Sequence, residues 1–257
     1  MKGIVLAGDS GTRLFPLTIG IPKQLLPIYD VPMIYYPIRT IIKSGISEIL
    51  IITSVEQSAL FKENLGDGSK FGASFSYACQ ISPDGIAQAI MIAQDFIGND
   101  SVCLITGDTI IDGDNFAEML KTAVKAADKS ANATVFVDRD YDTSQYGRVL
   151  LDEHGSFRTI AGTSDDNRYY SITGVYVFPN SVLKQVGRIT LSERNRLEII
   201  SVSKLFHEDN KLQIRKISDN DLWFDTNTPE SILKCGNYMQ KRRENHDYKS
   251  CNNLNKL

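Results

Sequence analysis

Over its first half the chain alternates short apolar, β-branched runs with longer segments whose apolar residues return at helical spacing. "GIVLA", "EILIIT", "SFSYAC" and "SVCLIT" read as strands, and "MIYYPIRTIIKSG", "QSALFKENLG", "GIAQAIMIAQDFIG" and "NFAEMLKTAVKAA" read as helices. Such alternation predicts an α/β fold, a mixed and mainly parallel sheet covered by helices. Gly45 after "TIIKS" and Gly98 after "IAQDFI" are helix stops that support the parse. Ligands of such sheets sit at the carboxyl ends of the strands, so the polar turns after "VLA", "YAC" and "LIT" are expected to share one rim.

From about Asn132 the pattern becomes strand-like, "ATVFVD", "GRVLLD" and "SITGVYVF", broken by polar turns. It predicts a smaller lobe built onto the same sheet. One domain over residues 1–240 is expected, with halves at about 1–130 and 131–240, followed by a polar tail over 241–257. The basic cluster Lys241 to Arg243 reads as a solvated helix end.

Composition narrows the chemistry. At 257 residues and 42% hydrophobic content the chain can bury a sizeable core. The 28 Lys and Arg against 31 Asp and Glu leave a net charge of −3, which supplies no global field for nucleic acid or an anionic membrane. Phosphate binding must therefore be local. Cys79, Cys103, Cys235 and Cys251 lack zinc-site spacing, and Cys103 within an apolar run reads as a buried free thiol. "MKGIVLAGDS" has no signal-peptide core and no later run approaches a membrane span of about 20 apolar residues, so a reducing cytoplasm is the expected compartment.

The stretch "VLAGDSGTRLFP" carries the first local chemistry. Gly8 and Gly11 with Ser10 and Thr12 let several backbone N–H groups converge on an anion, a phosphate-binding nest. Its spacing fits neither a Walker loop nor a dinucleotide fingerprint. Arg13 is a bidentate phosphate ligand by geometry, and Lys23 stands in "IPKQLLP" between proline and apolar residues, an odd place for a solubilising charge.

"LAGDSGTRL", "PKQLLPIYDVPMIYYP", "GISEILIIT", "LGDGSKFG", "ISPDGIAQA", "GDTIIDG" and "WFDTNTPES", in this order over about residues 1 to 240, resemble the sugar-1-phosphate nucleotidyltransferases, and within them the glucose-1-phosphate thymidylyltransferases. The resemblance implies a Rossmann-like nucleotidyltransferase fold with a small sugar-binding lobe. It also implies a reaction in which a sugar 1-phosphate attacks the α-phosphorus of a nucleoside triphosphate, giving a nucleoside diphosphate sugar and pyrophosphate. A sugar phosphate loses its second proton near pH ~6, so the nucleophile is already anionic and needs no base. That suits a chain whose histidines are only His154, His207 and His246. Arg13 and Lys23 match the family's catalytic cations, whose task is positioning and charge neutralisation. Asp108 and Asp225 match its magnesium ligands. Gln80 and the Gly85 amide match its base contacts; the Gln80 carboxamide can match several pyrimidines, and the Gly85 N–H, facing a base carbonyl, favours thymine or uracil. The expected partners are thus dTTP or UTP and a sugar 1-phosphate, with Mg2+ as cofactor and a homo-oligomer as the assembly.

Three departures from the family pattern stand out. Asp9 replaces a small neutral residue: either it caps its own turn through an Asx bond to a following N–H, or the loop has lost triphosphate affinity. Gly162 and Thr163 stand where a carboxylate and a lysine for the sugar are expected, with Asp165, Asp166 and Arg168 nearby. In "SERNRLEIIS", Arg194, Leu197 and Glu198 match, while Asn195 and Arg196 replace a Gly-Glu pair. Tyr146, Gly147, Thr173, Gly174 and Arg194 retain the rest of the expected sugar cleft. The family's longer members continue with a helical region that this chain largely lacks, so features tied to that region are not expected. The alternatives to sugar-1-phosphate thymidylyl transfer are transfer to another phosphorylated substrate, and a catalytically weak, nucleotide-binding regulatory homologue.

Overall fold

A computed structural model describes the chain except for residues 10, 83, 140–147, 152–156, 162–168, 193–194 and 246–257. The order runs β1 (Lys2–Ala7), a short hairpin β2 (Pro27–Ile28) and β3 (Val31–Pro32), α1 (Tyr35–Lys43), β4 (Glu48–Ser54), α2 (Ser58–Leu65), β5 (Ser74–Gln80), α3 (Gln88–Ile92), α4 (Gln94–Ile97), β6 (Val102–Thr106), β7 (Thr109–Asp112) and α5 (Asp114–Ser130). The second half adds β8 (Ala133–Arg139), β9 (Arg148–Leu151), β10 (Phe157–Ala161), β11 (Tyr169–Phe178), α6 (Val182–Val186), α7 (Ile199–Glu208), β12 (Leu212–Lys216), β13 (Leu222–Asp225) and α8 (Pro229–Asn245). No described helix is long and apolar enough to cross a membrane.

The four predicted strands form the parallel run β6-β1-β4-β5 inside a nine-stranded sheet. Their apolar continuity follows from burial on both faces, because side chains alternate across the pleat. Val5 and Ala7 of β1 point with Ile49, Ile51, Cys103 and Ile105 into a core shared with Ile38, Ile41, Phe116 and Leu120. Ile4 joins Leu50, Ile52, Val102 and Leu104 on the opposite face, packed with Ala89, Ile90, Val202 and Phe206. Each of the valine, leucine, isoleucine and phenylalanine side chains among them is worth ~1.5–3 kcal/mol in burial. Cys103 is a free, buried thiol whose pKa is pushed up to about 12 by burial, as the apolar run leads one to expect.

The second half extends this sheet, as its strand pattern predicts. β11 runs antiparallel to β6, β8 and β9, and β12 pairs parallel with β8. A register shift falls between Ile172 and Tyr176 of β11, where Gly174 takes φ +82°. Two sequence expectations are corrected. "GIAQAIMIAQDFIG" gives two short helices interrupted at Ala93 (ψ 4°), a break that keeps Ala93 and Ile97 buried. The last helix continues through Asn245, because Cys235 and Met239 anchor it in a third core with Ile28, Met33, Ile110 and Phe224.

Gly174 is where the sheet is least tolerant. A Cβ there would lie 2.5 Å from both Thr106 Oγ1 and Thr109 Oγ1, in a backbone conformation that side chains rarely adopt. Overpacking and left-handed strain together give an expected loss of ~2–4 kcal/mol for Gly174→Ala, read from the urea midpoint at unchanged m-value.

Candidate functional site

The turns after β1, β5 and β6 meet on one rim, as the doubly covered sheet requires: a Cβ on Gly8 would touch Gln80 Oε1 at 2.9 Å, and one on Gly107 would lie 3.0 Å from Leu6 O. Gly11 takes φ +65° and opens the single-turn 3-10 helix Thr12–Leu14, with Thr12 and Arg13 exposed. A side chain on Gly11 would strike Thr18 at 2.8 Å and the Lys23 Cβ at 3.0 Å, so the glycine loop lies directly over Lys23.

The Asx bond expected as one answer to Asp9 is present. The Gly11 N–H donates to Asp9 Oδ1 at 3.2 Å. Gly11 is also one of the nest residues, so a carboxylate of the protein already holds an N–H assigned to phosphate.

Lys23 forms the floor. Its side chain is 1% exposed, and the ammonium donates to Asp108 Oδ2 and Asn227 Oδ1, each at 2.5 Å. A buried ammonium is costly unless paired, and here one charge and one neutral carbonyl share it. Asn227 also donates to Asp225 Oδ1, so its carboxamide bridges the cation to the second carboxylate. Burial acts to raise the pKa of Asp108, but the Lys23 charge and hydrogen bond outweigh it and hold the carboxyl below its ordinary value. Asp108 keeps 19% of its side chain exposed and Asp225 is half-buried, so both carboxylates reach the rim.

The positions follow from the fold. Asp108 follows β6, and Asp225 ends β13, paired with Thr109 of β7 in the antiparallel ladder β7–β13. Thr226 donates to Asp108 O at 2.8 Å, locking the two turns together. The third core beneath α8 fixes this ladder from below. Asn227 was not singled out in the sequence; the available signal was its place two residues after Asp225, just beyond the end of β13.

Gln80 is 6% exposed at the end of β5, and its Nε2 donates to Gly85 O at 3.2 Å and Gln88 Oε1 at 2.5 Å. Gly85 takes φ +113°, and a Cβ there would sit 2.3 Å from Leu197 O, a position only glycine fills. The Ala87 N–H donates to Leu197 O and the Leu197 N–H to Asp84 O, which ties the base-side loop to the segment before α7. Gln88 and Asp84 also escaped the sequence reading, although their i,i+4 spacing is a recognised pairing.

On the expected sugar side, Thr173 is 1% exposed and donates to Phe136 O at 3.1 Å, while its carbonyl accepts from Thr109 Oγ1. Gly174 packs on Thr106 and Thr109. Tyr146, Gly147 and Arg194 lie outside the described residues, as do Ser10 of the nest, Gly162, Thr163, Asp165, Asp166 and Arg168. Asn195 has φ +56°, which suits the replacement of a family glycine, and Arg196 is exposed.

Comparison with known proteins places the chain in a family. The nucleotidyl transferase family model matches residues 2–242. The chain is 43% identical to the glucose-1-phosphate thymidylyltransferase of Neisseria meningitidis serogroup A over 243 residues, 93% of this chain and 83% of that protein. It is 38% identical to the enzyme of the same name from Xanthomonas campestris pv. campestris over 240 residues, 93% of this chain and 80% of that one. A Bacillus anthracis crystal structure in complex with sucrose, provisionally described as a glucose-1-phosphate thymidylyltransferase, superposes with a TM-score of 0.82 at 30% identity, covering 93% of this chain and 94% of that one. With the shared rim, the buried cation and matches over nearly its whole length, the chain belongs to the nucleotidyl transferase family and is a nucleotidyltransferase.

Proposed function

We propose that this enzyme transfers a thymidylyl group from dTTP to a sugar 1-phosphate, glucose 1-phosphate first among them, with Mg2+ and release of pyrophosphate. The observation that carries the reading is the convergence, at one sheet rim, of the Gln80 carboxamide, a glycine loop and the Lys23–Asp108–Asn227–Asp225 network. The names of the relatives support the sugar and the base.

Charge management is the catalytic task. The sugar phosphate arrives ionised, so nothing need deprotonate it. His207 is exposed on α7, and His154 and His246 lie outside the described residues. Arg13, exposed on its 3-10 turn, is placed to hold phosphate oxygens by paired N–H donors. The glycine loop contributes N–H groups to the triphosphate, and Lys23 lends positive charge from beneath while keeping Asp108 ionised.

The donor chemistry fits magnesium. The described residues hold no group of three or more His, Cys, Asp or Glu suited to a metal, and Mg2+ uses one or two carboxylates with waters and phosphate oxygens. Asp108 and Asp225 would hold it. When bound, the ion supplies neutralisation of phosphate charge.

Pyrophosphate release measured over dTTP, UTP, dCTP and dATP, each with several sugar 1-phosphates, tests the reading. The expected result is the highest kcat/KM for dTTP with glucose 1-phosphate and loss of turnover on chelation of Mg2+. A higher value for another sugar phosphate reassigns the acceptor; no release with any pair, despite nucleotide binding, rejects the enzyme's proposed reaction.

Two variants follow from the site. Asp9→Gly removes an anion and frees the Gly11 N–H, so the Kd for dTTP is expected to fall by about tenfold, from a charge-assisted bond worth ~1.5–3 kcal/mol, as read by calorimetry. Asn227→Ala strips the buried ammonium of one acceptor and the second carboxylate of a donor. Its expected cost is ~2 kcal/mol in urea unfolding without metal, with further loss of turnover at saturating Mg2+.

A further inference from the structure

The orientation of the Gln80 carboxamide decides what its edge of the site can recognise, because one end donates and the other accepts. In this structure the orientation is set from a distance. Gln80 Nε2 donates to Gln88 Oε1 at 2.5 Å, and Gln88 Nε2 donates to Asp84 Oδ2 at 2.9 Å. An aspartate carboxylate only accepts, so Gln88 must turn its amino group to Asp84 and its carbonyl to Gln80. Gln80 must then present its amino group inward, where Gly85 O also receives it at 3.2 Å. Its Oε1 is left beside Gly8, at the rim, accepting no hydrogen bond among the described residues.

Asp84 is well held for this purpose. Ser82 Oγ donates to the same Oδ2, and the Asp84 carbonyl accepts the Leu197 N–H at 2.5 Å. The network has one polarity, running outward from the carboxylate, and reversing any member breaks its neighbour's bond.

We propose that Asp84 and Gln88 form a hydrogen-bond relay that locks Gln80 with its carbonyl oxygen outward and so selects nucleobases carrying a ring N–H between two carbonyls. Thymine and uracil have that pattern, while cytosine places an acceptor at the same ring position. The inference rests on the reading of Gln80 as the base contact. Asp84 and Gln88 act through Gln80 and are positioning residues, with no contact to the nucleotide required of them.

Calorimetric titration of the full chain with dTTP and with dCTP, in Mg2+, tests the relay in wild type, Asp84→Asn and Gln88→Met. Asparagine can donate where aspartate cannot, which releases Gln88 to reverse; methionine removes the link at similar size. Wild type is expected to bind dTTP at least tenfold more tightly than dCTP, and each variant to lower that ratio at least threefold. A purely structural role would weaken both nucleotides alike and leave the ratio unchanged. An unchanged ratio in the two folded variants, checked by circular dichroism, overturns the relay while leaving the base contact standing. Equal binding by wild type overturns the base contact itself, and the relay with it. Because the two substitutions act at opposite ends of the Gln88 link, either folded variant alone decides the outcome.

Discussion

A lysine ammonium with almost no access to water must be paired, and that demand organises this molecule. Lys23 brings together three segments: the turn after the glycine loop, the end of β6 at Asp108 and the link from β13 to α8 at Asn227. None of these contacts is local; Asn227 lies 204 residues from Lys23. Leaving such an ion unpaired costs several kcal/mol, comparable with a domain's whole net stability, so the closure of the rim and the folding of the chain are one event. The helix α8 takes part because its apolar face, through Cys235 and Met239, seats the β7–β13 ladder that carries Asp225.

The same physics explains what could be read from the chain beforehand. Strands buried on both faces leave continuous apolar runs, so β1, β4, β5 and β6 and their shared rim were legible. The polar turns carrying Gly8, Gln80 and Asp108 follow those runs directly. Lys23 announced itself by standing between a proline and apolar residues, though its pairing with Asp108 and Asn227 did not. Asn227, Gln88 and Asp84 are ordinary polar residues whose meaning depends on who faces them. For Asn227 that is settled only by tertiary structure. The break at Ala93 was illegible for a related reason: alanine favours helix, and only packing against the sheet interrupts it.

The two sides of the site differ in how they are built. The side proposed to hold the nucleotide rests on parallel strands whose turns are fixed by glycines with no room for a side chain, Gly8, Gly11 and Gly85. On the other side, Thr173 directs its hydroxyl inward to Phe136 O and contributes to the sheet, with the adjoining Gly174 bending β11 against the Thr106 and Thr109 hydroxyls. Of the departures from the family pattern, Asp9 lies in the glycine loop, and Asn195 and Arg196 directly precede Leu197, whose backbone bonds to Asp84 and Ala87 beside Gln80.

Charge around the rim is nearly balanced within the protein itself. Arg13 and Lys23 give two positive charges, and Asp9, Asp108 and Asp225 give three negative ones. One of those anions, Asp9, is satisfied by a backbone N–H, and another, Asp108, is held ionised by Lys23 against the effect of its own burial. These five side chains therefore sum to one negative charge. On the proposed function, Asp108 and Asp225 would hold a divalent cation, whose charge would turn that sum from one negative to one positive. The neutral carboxamide of Asn227 meanwhile keeps Lys23 and Asp225 engaged in the same network without adding a further charge of either sign.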